Sequence, residues 1–350
     1  MLRTIPLSPA SVPAPGLTWQ EQLADLVTDL PELLAALRLD AAQLQAAGLD
    51  VSEAALRGFP LRVPRPYLAR MKPGDPRDPL LLQVLPQAKE LDATPGYVLD
   101  PLGEVPANKH SGLLHKYEGR VLLIATQSCA IHCRYCFRKH FPYADNRPGR
   151  AQWQESFDYI AADASISEVI LSGGDPLASS NTYLQWLVDN LLAIPHVKRL
   201  RLHTRLPIML PARVDAALLQ MLGKRRQQVV MVLHANHAQE FDADVDAACA
   251  RLRAEGIQLL NQSVLLKGIN DKADALAALS ERLLAAGVLP YYVHMPDKVQ
   301  GTAHFDVSDA DAHALMRALH ARLPGYLVPR LVREESGKLG KTLLTPTTSG

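Results

Sequence analysis

The chain has 350 residues, of which 48% are hydrophobic, and its 37 basic and 36 acidic residues leave a formal net charge of +1. This is enough apolar material for one large domain, or for one domain with an appendage. The balanced charge predicts no nucleic-acid partner, and no apolar run approaches the roughly 18 residues that a membrane span needs. Prolines interrupt the first 16 residues, where a signal peptide would need an unbroken apolar region, so the pattern predicts a cytoplasmic protein.

Residues 1–110 predict a helical and irregular lead-in. Thr18 and Glu21 have the spacing of a capping box, which would begin a first helix, and a Leu- and Ala-rich helical pattern continues to about residue 57. Closely spaced prolines between residues 60 and 86 exclude a long helix there.

From residue 121, short apolar runs alternate with helical patterns. Near-continuous apolar strands are typical of a parallel sheet, because helices cover both of its faces. Six β/α units in a row predict an open or closed (β/α) barrel over residues 111–325, with a doubly wound sheet as the alternative. The predicted strands lie at 121–127, 168–173, 199–204, 228–235, 257–266 and 289–295. The predicted helices lie near 151–163, 181–193, 213–222, 242–255, 272–286 and 308–322.

Three of the four cysteines fall within the stretch ATQSCAIHCRYCFRKHFPY (125–143), as Cys129, Cys133 and Cys136. They follow the first predicted strand directly, and the active sites of such barrels lie at the carboxyl ends of the strands. Polar segments follow the later strands at the same end, which predicts one shared site there. These segments are SGGDP (172–176), HTR (203–205), HANH (234–237), NQS (261–263) and HMPDK (294–298).

The C-x3-C-x2-C spacing leaves three interpretations open. One is a zinc site completed by His132 or His140, another is a redox pair of Cys133 and Cys136, and the third is a [4Fe–4S] cluster held by three thiolates. The cluster is favoured, because structural zinc sites normally take ligands from two well-separated pairs. Three ligands on four irons would leave one iron open to chelate a small molecule. The fourth cysteine, Cys249, lies in a helical pattern and is predicted to be a buried apolar residue.

The cysteine spacing, with the aromatic Tyr135 before the last cysteine, resembles the signature of the radical S-adenosylmethionine (SAM) superfamily. The resemblance implies that the open iron binds SAM and that reductive cleavage yields a 5′-deoxyadenosyl radical, with an electron donor such as flavodoxin or ferredoxin. The SGGDP run resembles the glycine-rich motif of that superfamily. It implies a SAM site at Gly173, Gly174 and Asp175, where glycine permits close approach to the backbone.

Longer stretches resemble the lysine 2,3-aminomutase family: HKYEGRVLLIATQSCAIHCRYCFRKHF, LHTRLPIMLPARV, LNQSVLLKGIND, YYVHMPDKVQGTAHF and DPRDPLLLQVLP. The resemblance covers roughly residues 60–345. It implies a partial (β/α)6 barrel, pyridoxal phosphate (PLP) as a second cofactor, and migration of an amino group from Cα to Cβ of L-lysine. A radical suits this reaction, because no side-chain base at pH 7 can remove a proton from an unactivated Cβ–H bond.

The resemblance also assigns the PLP site. The Schiff-base lysine of the family matches Lys341, with Lys338 as the alternative, in a C-terminal segment at residues 326–350. Positions that hold the PLP phosphate fall on Arg120 and Lys116. Arginine is more typical at the second position, and a lysine there offers a point charge without a bidentate fork.

The resemblance also implies contacts with the substrate and with SAM at five further positions. Arg138 matches the arginine that pairs with the lysine carboxylate, and Asp297 matches an aspartate that binds the ε-ammonium. A second family aspartate, seven residues before the PLP lysine, is replaced here by Glu334, which keeps the charge but has a longer reach. His234 and Gln262 match residues that line the SAM site.

The chain ends nine residues after Lys341, whereas fermentative free-lysine aminomutases carry a longer C-terminal segment. Short members resemble the elongation factor P lysine 2,3-aminomutase. The resemblance therefore implies that the product is (R)-β-lysine, which a lysyl ligase attaches to that factor. A catabolic or osmolyte-forming enzyme and a zinc-stabilised binding module without catalysis are the alternatives, and a homo-oligomer stays open.

Overall fold

The computed structural model describes residues 16–104, 108–110, 112–141 and 149–345. Within these ranges no helix has both the length and the apolar content that a membrane crossing requires. One large cluster of buried apolar side chains joins the lead-in to the strands and helices that follow it.

Within the described ranges the sheet contains ten strands, and their order in space follows their order in the chain. They are β1 (Asn108–His110), β2 (Leu113–Tyr117), β3 (Arg120–Thr126), β4 (Glu168–Gly173), β5 (Arg199–Thr204), β6 (Gln228–Leu233), β7 (Gln258–Val264), β8 (Leu289–His294), β9 (Arg330–Arg333) and β10 (Thr342–Leu343). Strands β3 to β8 are parallel, and each pairs with the next along the chain. β9 adds one more parallel strand, β10 returns antiparallel to it, and β1 and β2 are antiparallel additions before β3.

The parallel strands differ in burial, and β8 has one buried residue among its six. β4 is buried at every residue, which matches the near-continuous apolar run from which it was predicted. Among the described residues the outermost strands, β1 and β10, do not pair with each other, so the barrel is open. The predicted α/β fold, a partial (β/α)6 barrel, is confirmed.

The lead-in consists of short helices joined by turns and extended segments. Its α-helices are α1 (Trp19–Ala24), α2 (Leu30–Ala36), α3 (Ala41–Ala46) and α4 (Arg65–Leu68). The predicted capping box is present: Glu21 N donates to Thr18 Oγ1 at 3.3 Å, and Thr18 N donates to Glu21 Oε2 at 2.7 Å. Trp19 of α1 donates from Nε1 to Asp215 Oδ2 at 3.0 Å, so the lead-in packs onto the barrel. The boundaries at 110 and 325 stay predictions.

Four of the barrel helices named here begin at polar side-chain caps. The barrel helices that the structure describes are α5 (Arg150–Ala162), α6 (Asn181–Ala193), α7 (Leu206–Met209), α8 (Ala216–Leu222), α9 (Ala243–Ala254), α10 (Ala273–Ala285) and α11 (Asp309–Arg322). Side chains of Ser180, Asp215, Asp242 and Ser308 accept backbone N–H groups at the first turns of α6, α8, α9 and α11. Cys249 is fully buried on α9, as predicted.

Candidate active site

A cavity of about 410 Å³ opens at the carboxyl ends of the parallel strands. Lys338, the alternative PLP lysine, is exposed and is not part of the cavity wall. The fourteen residues assigned to the site from the sequence all line this cavity: Cys129, Cys133, Cys136, Lys116, Arg120, Arg138, Gly173, Gly174, Asp175, His234, Gln262, Asp297, Glu334 and Lys341.

The loop after β3 carries the three cysteines, and a buried ion pair holds it against the lead-in. Arg134 is fully buried, and its Nε donates to Glu90 Oε1 at 2.9 Å. The same carboxylate accepts a hydrogen bond from Lys139 Nζ at 2.6 Å. The Cys136 backbone N–H donates to the Cys133 carbonyl at 3.0 Å and closes a turn. The lead-in therefore supports the shape of the cysteine loop.

Two of the three thiols, those of Cys129 and Cys136, lie in an environment that disfavours their ionisation. Burial raises the pKa of Cys129 well above its ordinary value and that of Cys136 to about 12, and neighbouring thiols add to both shifts. Buried thiols that repel each other as thiolates serve as ligands when a bound cation offsets the cost of ionising them. This donor set fits a [4Fe–4S] cluster with three cysteine ligands.

The histidines considered for a zinc site make other contacts. His132 stacks on Phe59, with ring centroids 4.5 Å apart, and its Nδ1 lies 2.7 Å from the Pro60 carbonyl oxygen. The exposed His140 has its Nε2 3.1 Å from the Gln300 carbonyl oxygen. In the part of the chain that the structure describes, no three His, Cys, Asp or Glu side chains form a site for a single ion.

The glycine-rich turn after β4 brings its backbone against the cysteine loop. Gly173 has φ +120°, and a Cβ there would lie 2.4 Å from the Thr126 carbonyl oxygen. A Cβ at Gly174 would lie 2.4 Å from the Ser128 carbonyl oxygen. Both positions therefore need glycine, which leaves backbone atoms exposed to the cavity. Their contact with SAM stays a prediction.

Asp175 is engaged by the chain itself. Its Oδ1 accepts hydrogen bonds from Thr204 Oγ1 at 2.6 Å and from the Leu177 N–H at 3.0 Å. Its Oδ2 accepts from the N–H groups of Arg205 at 2.7 Å and Leu206 at 3.1 Å. Asp175 thus ties the end of β4 to the end of β5, and its predicted SAM contact remains untested.

Two residues assigned to SAM lie on or after neighbouring strands. His234, directly after β6, has its Nε2 3.0 Å from Tyr135 Oη, and the two rings are stacked. Burial lowers the pKa of His234 well below its usual range, so the ring is neutral. Gln262 lies on β7 and lines the cavity. Their roles stay predictions.

Lys341, directly before β10, is paired with Glu334. Its Nζ forms an ion pair with Glu334 Oε2 and lies 5.9 Å from the Tyr292 ring centroid. Tyr117 donates a hydrogen bond to the other oxygen of Glu334. Burial alone would raise the pKa of Glu334, but Lys341 and Tyr117 more than offset it and lower that pKa. The predicted substrate acid therefore contacts the predicted PLP lysine.

The cavity also offers partners for an anionic cofactor. Arg120 and Lys116 line it, and Lys116 Nζ donates to the Leu102 carbonyl at 3.0 Å. The Nε2 atoms of His203 and His294 are buried with no hydrogen-bond partner among the described residues. Burial lowers the pKa of both rings well below the usual range. A lysine, two cations and unpartnered polar atoms in one cavity fit PLP and its phosphate.

Arg138 reaches the cavity but already has a carboxylate partner. Its Nε and Nη2 each donate to a different oxygen of Glu104 at 2.8 Å, and both side chains are buried. Its Nη1 donates to Ser172 Oγ at 3.0 Å. A substrate carboxylate at Arg138, as predicted from the sequence, would have to share or displace Glu104.

Asp297 lies beyond the end of β8 and faces the cavity with no hydrogen-bond donor to its carboxylate among the described residues. Burial raises its pKa to about 7. The charged groups that act on it are Lys341, Glu334, Glu104 and Lys116, of which the two acids raise that pKa and the two lysines lower it. A cationic ligand group would stabilise the ionised form of this acid.

The two predicted cofactor sites open on the same cavity, with the cysteine loop in one part of its wall and Lys341 in another. When bound, the cluster and SAM would supply a carbon radical, and PLP would activate the amino group of a substrate. Between the two predicted sites, the wall presents cations that suit anionic groups and the buried carboxylate of Asp297, which suits a cationic one.

A family described as a 4Fe-4S single cluster domain matches residues 117–200, which include the three cysteines and the SGGDP run. A protein of Escherichia coli strain K12 named L-lysine 2,3-aminomutase is 50% identical over 93% of this chain and 94% of its own length. A protein of the same name from Haemophilus influenzae is 46% identical over 93% of this chain and 95% of its own. A glutamate 2,3-aminomutase of Clostridioides difficile is 34% identical over 80% and 66%.

The two bacterial relatives named first are 50% and 46% identical to this chain and are aligned with it over nearly their whole lengths. The matched region contains the cysteine loop and the parallel strands that form the cavity. The chain therefore belongs to the L-lysine 2,3-aminomutase family, isomerases of the radical SAM type that use a [4Fe–4S] cluster, SAM and PLP.

Proposed function

We propose that this enzyme converts L-α-lysine to (R)-β-lysine. The observation that carries the proposal is Asp297, a carboxylate that faces the cavity and accepts no hydrogen bond from the described residues. Because burial makes its ionised form costly, a ligand ammonium is the group that it binds best. The ε-ammonium of lysine supplies such a group at the far end of the amino acid.

Electrostatics favour lysine over glutamate as the substrate. A glutamate side chain would bring a carboxylate towards Asp297, and Glu334 and Glu104 act on the same region with the same sign. Like charges in a poorly hydrated cavity repel strongly. A relative that is named a glutamate enzyme shows that members of this family differ in substrate, so this choice is specific to the residues of the cavity.

The remaining assignments extend the proposal to the cofactors. The three cysteines of the loop bind the cluster, and Lys341 carries PLP. Arg120 and Lys116 bind its phosphate, and Arg138 binds the substrate carboxylate. Residues proposed to contact SAM are Gly173, Gly174, Asp175, His234 and Gln262. Glu334 is proposed to assist Asp297, and its charge acts on that carboxyl in the same cavity.

We further propose that the product serves elongation factor P, to which a lysyl ligase attaches it. Lys116 and Glu334, which depart from the fermentative pattern, support this role. The enzyme would then act in the cytoplasm, with flavodoxin or ferredoxin as its electron donor. A catabolic or osmolyte-forming role is the competing function.

The substrate is tested by anaerobic incubation with SAM, PLP and a reductant, with L-lysine and L-glutamate as matched substrates and products identified by mass spectrometry. We expect β-lysine from lysine and no product from glutamate, because only lysine brings a cation to Asp297. A faster reaction with glutamate, or none with lysine, would contradict the substrate assignment.

The cellular role is tested by deleting the gene in its host and measuring the intact mass of elongation factor P. We expect loss of a lysyl-sized adduct, restored by added β-lysine and not by added α-lysine. An unchanged mass, together with loss of free β-lysine from the metabolite pool, would instead support the catabolic or osmolyte role.

A further inference from the structure

A buried arginine contacts one of the cysteines. Arg205 follows β5, and its Nη1 donates hydrogen bonds to Cys133 Sγ at 2.7 Å and to Tyr135 Oη at 2.6 Å. Its Nη2 donates to Gln83 Oε1 at 2.6 Å and to Glu240 Oε2 at 3.0 Å. The two terminal nitrogens of the guanidinium therefore have different partners: Nη1 faces the cysteine loop, and Nη2 faces a buried acid.

A network of neighbouring polar groups fixes the position of this guanidinium. Glu240 is fully buried and also accepts a hydrogen bond from the Asn236 N–H at 2.8 Å. Asn236 donates from Nδ2 to Tyr135 Oη at 2.7 Å and to Gln83 Oε1 at 3.0 Å. The Arg205 backbone N–H is held by Asp175 at 2.7 Å. Because each partner is itself hydrogen-bonded, Arg205 has little freedom to turn away from the loop.

We propose that Arg205 donates a hydrogen bond to the thiolate of Cys133 and thereby raises the reduction potential of the [4Fe–4S] cluster. A cluster gains negative charge when it is reduced, so a cation and a hydrogen-bond donor at a ligand sulfur stabilise the reduced form more than the oxidised form. Glu240 offsets part of this effect, since its carboxylate lies beside the same guanidinium. The proposal concerns electron entry and does not depend on which amino acid is the substrate.

In this proposal Arg205 is a positioning residue for the cluster loop. Substitutions of Arg205 and of its partner Glu240 should shift the reduction potential of the cluster in opposite directions. Arg205→Gln removes the cation and should lower the potential. Glu240→Gln removes the counter-charge and should raise it. Arg205→Lys keeps the charge but loses the planar fork, and should fall between wild type and Arg205→Gln.

The measurement is a potentiometric titration of the reconstituted holoenzyme without SAM, followed by electron paramagnetic resonance of the reduced cluster. At a fixed solution potential, the ratio of reduced to oxidised cluster in Arg205→Gln should be at least tenfold below that of wild type, which corresponds to about 59 mV for a one-electron couple. Iron and sulfide contents should equal those of wild type, because all three thiolates remain.

The control is Arg213→Gln, which removes another buried arginine. Its Nε donates to the Leu177 carbonyl at 2.6 Å, and it does not line the cavity. The potential of this variant should equal that of wild type. The proposal is overturned if Arg205→Gln keeps its cluster and titrates within twofold of wild type, or if Arg213→Gln shifts equally. If Arg205→Gln fails to assemble a cluster, the test depends on Glu240→Gln. The proposal is then overturned if the reduction potential of Glu240→Gln is lower than that of wild type or equal to it.

Discussion

Replacing Asp297 by Asn tests the assignment of the substrate ammonium most directly. The amide keeps the shape of the side chain but cannot carry a negative charge. The wild-type carboxylate faces the cavity, and it accepts no hydrogen bond from the described residues that the substitution would break. The variant should therefore fold normally and lose its affinity for a cationic ligand group.

The magnitude follows from the cost of ionising this acid. Burial raises the pKa of Asp297 from 3.8 to about 7, so the carboxylate costs about 4 kcal/mol more to ionise in the cavity than in water. An ammonium about 4 Å away returns a similar energy at an effective dielectric constant of about 20. Removing one partner of such a pair costs about 3–5 kcal/mol. We therefore expect kcat/KM for lysine to fall by roughly 160- to 4,700-fold in Asp297→Asn.

The assay compares L-lysine with L-norleucine under anaerobic conditions, because norleucine has the same chain length without the ammonium. Wild type should strongly prefer lysine, and Asp297→Asn should use the two about equally. Asp274→Asn is a matched control, since Asp274 is 89% exposed and only pairs with Arg322 at the surface. Lysine kinetics within twofold of wild type in Asp297→Asn would refute the reasoning and place the ε-ammonium elsewhere.

Three further predictions concern the cluster, the PLP lysine and pH. Alanine at any one of the three loop cysteines should abolish cluster binding, whereas Cys249→Ala should keep wild-type iron content; iron loss confined to the Cys249 variant would contradict the ligand assignment. Lys341→Ala should lose covalently bound PLP after borohydride reduction while retaining iron, and peptide mapping that finds the label on Lys338 would exclude Lys341. Because protonation neutralises Asp297, kcat/KM for lysine should fall about tenfold per pH unit below about pH 7. Two results would argue against the titration of Asp297: a wild-type kcat/KM that does not change with pH below about pH 7, or the same inflection in the pH profile of Asp297→Asn.

The parallel part of the sheet was predictable because its signal is local. The strands predicted at 168–173 and 199–204 have the same bounds as β4 and β5, and the run predicted at 257–266 contains β7. β4 is an apolar run between polar turns, which is the pattern that burial on both faces demands, whereas β5 and β7 alternate buried with more exposed residues. The position of the cysteine loop at the carboxyl end followed from the same pattern.

The short antiparallel strands at the two edges were not predicted. β2 contains a histidine and a lysine among its five residues, and β10 has only two residues, so neither shows an apolar period. They form because their partners β3 and β9 are already placed, which is a tertiary effect. The sequence could therefore not reveal that residues 330–343 join the sheet.

Several site residues were missed for the same reason. Glu104 meets Arg138 from 34 residues away, and Arg205 meets Gln83 from 122 residues away. The neighbouring sequence does not show that an acidic residue is buried, because its role depends on which cation the fold brings to it. The closest available signal was the arginine itself in the HTR segment at a predicted strand end, but that segment did not indicate a contact with a cysteine.

The C-terminal segment explains structurally why Glu334 and Lys341 are seven residues apart. Family resemblance placed an acidic residue seven positions before the PLP lysine, without a physical reason for the number. β9 and β10 supply that reason, because Thr342 pairs with Arg333 and the hairpin brings Glu334 beside Lys341. Since β9 is parallel to β8, the same hairpin carries both residues to the cavity wall near Asp297. If the pairing of β9 and β10 shifted by one residue, the Lys341 side chain would point to the opposite face of the strand. The register of these two short strands therefore places the lysine in the site.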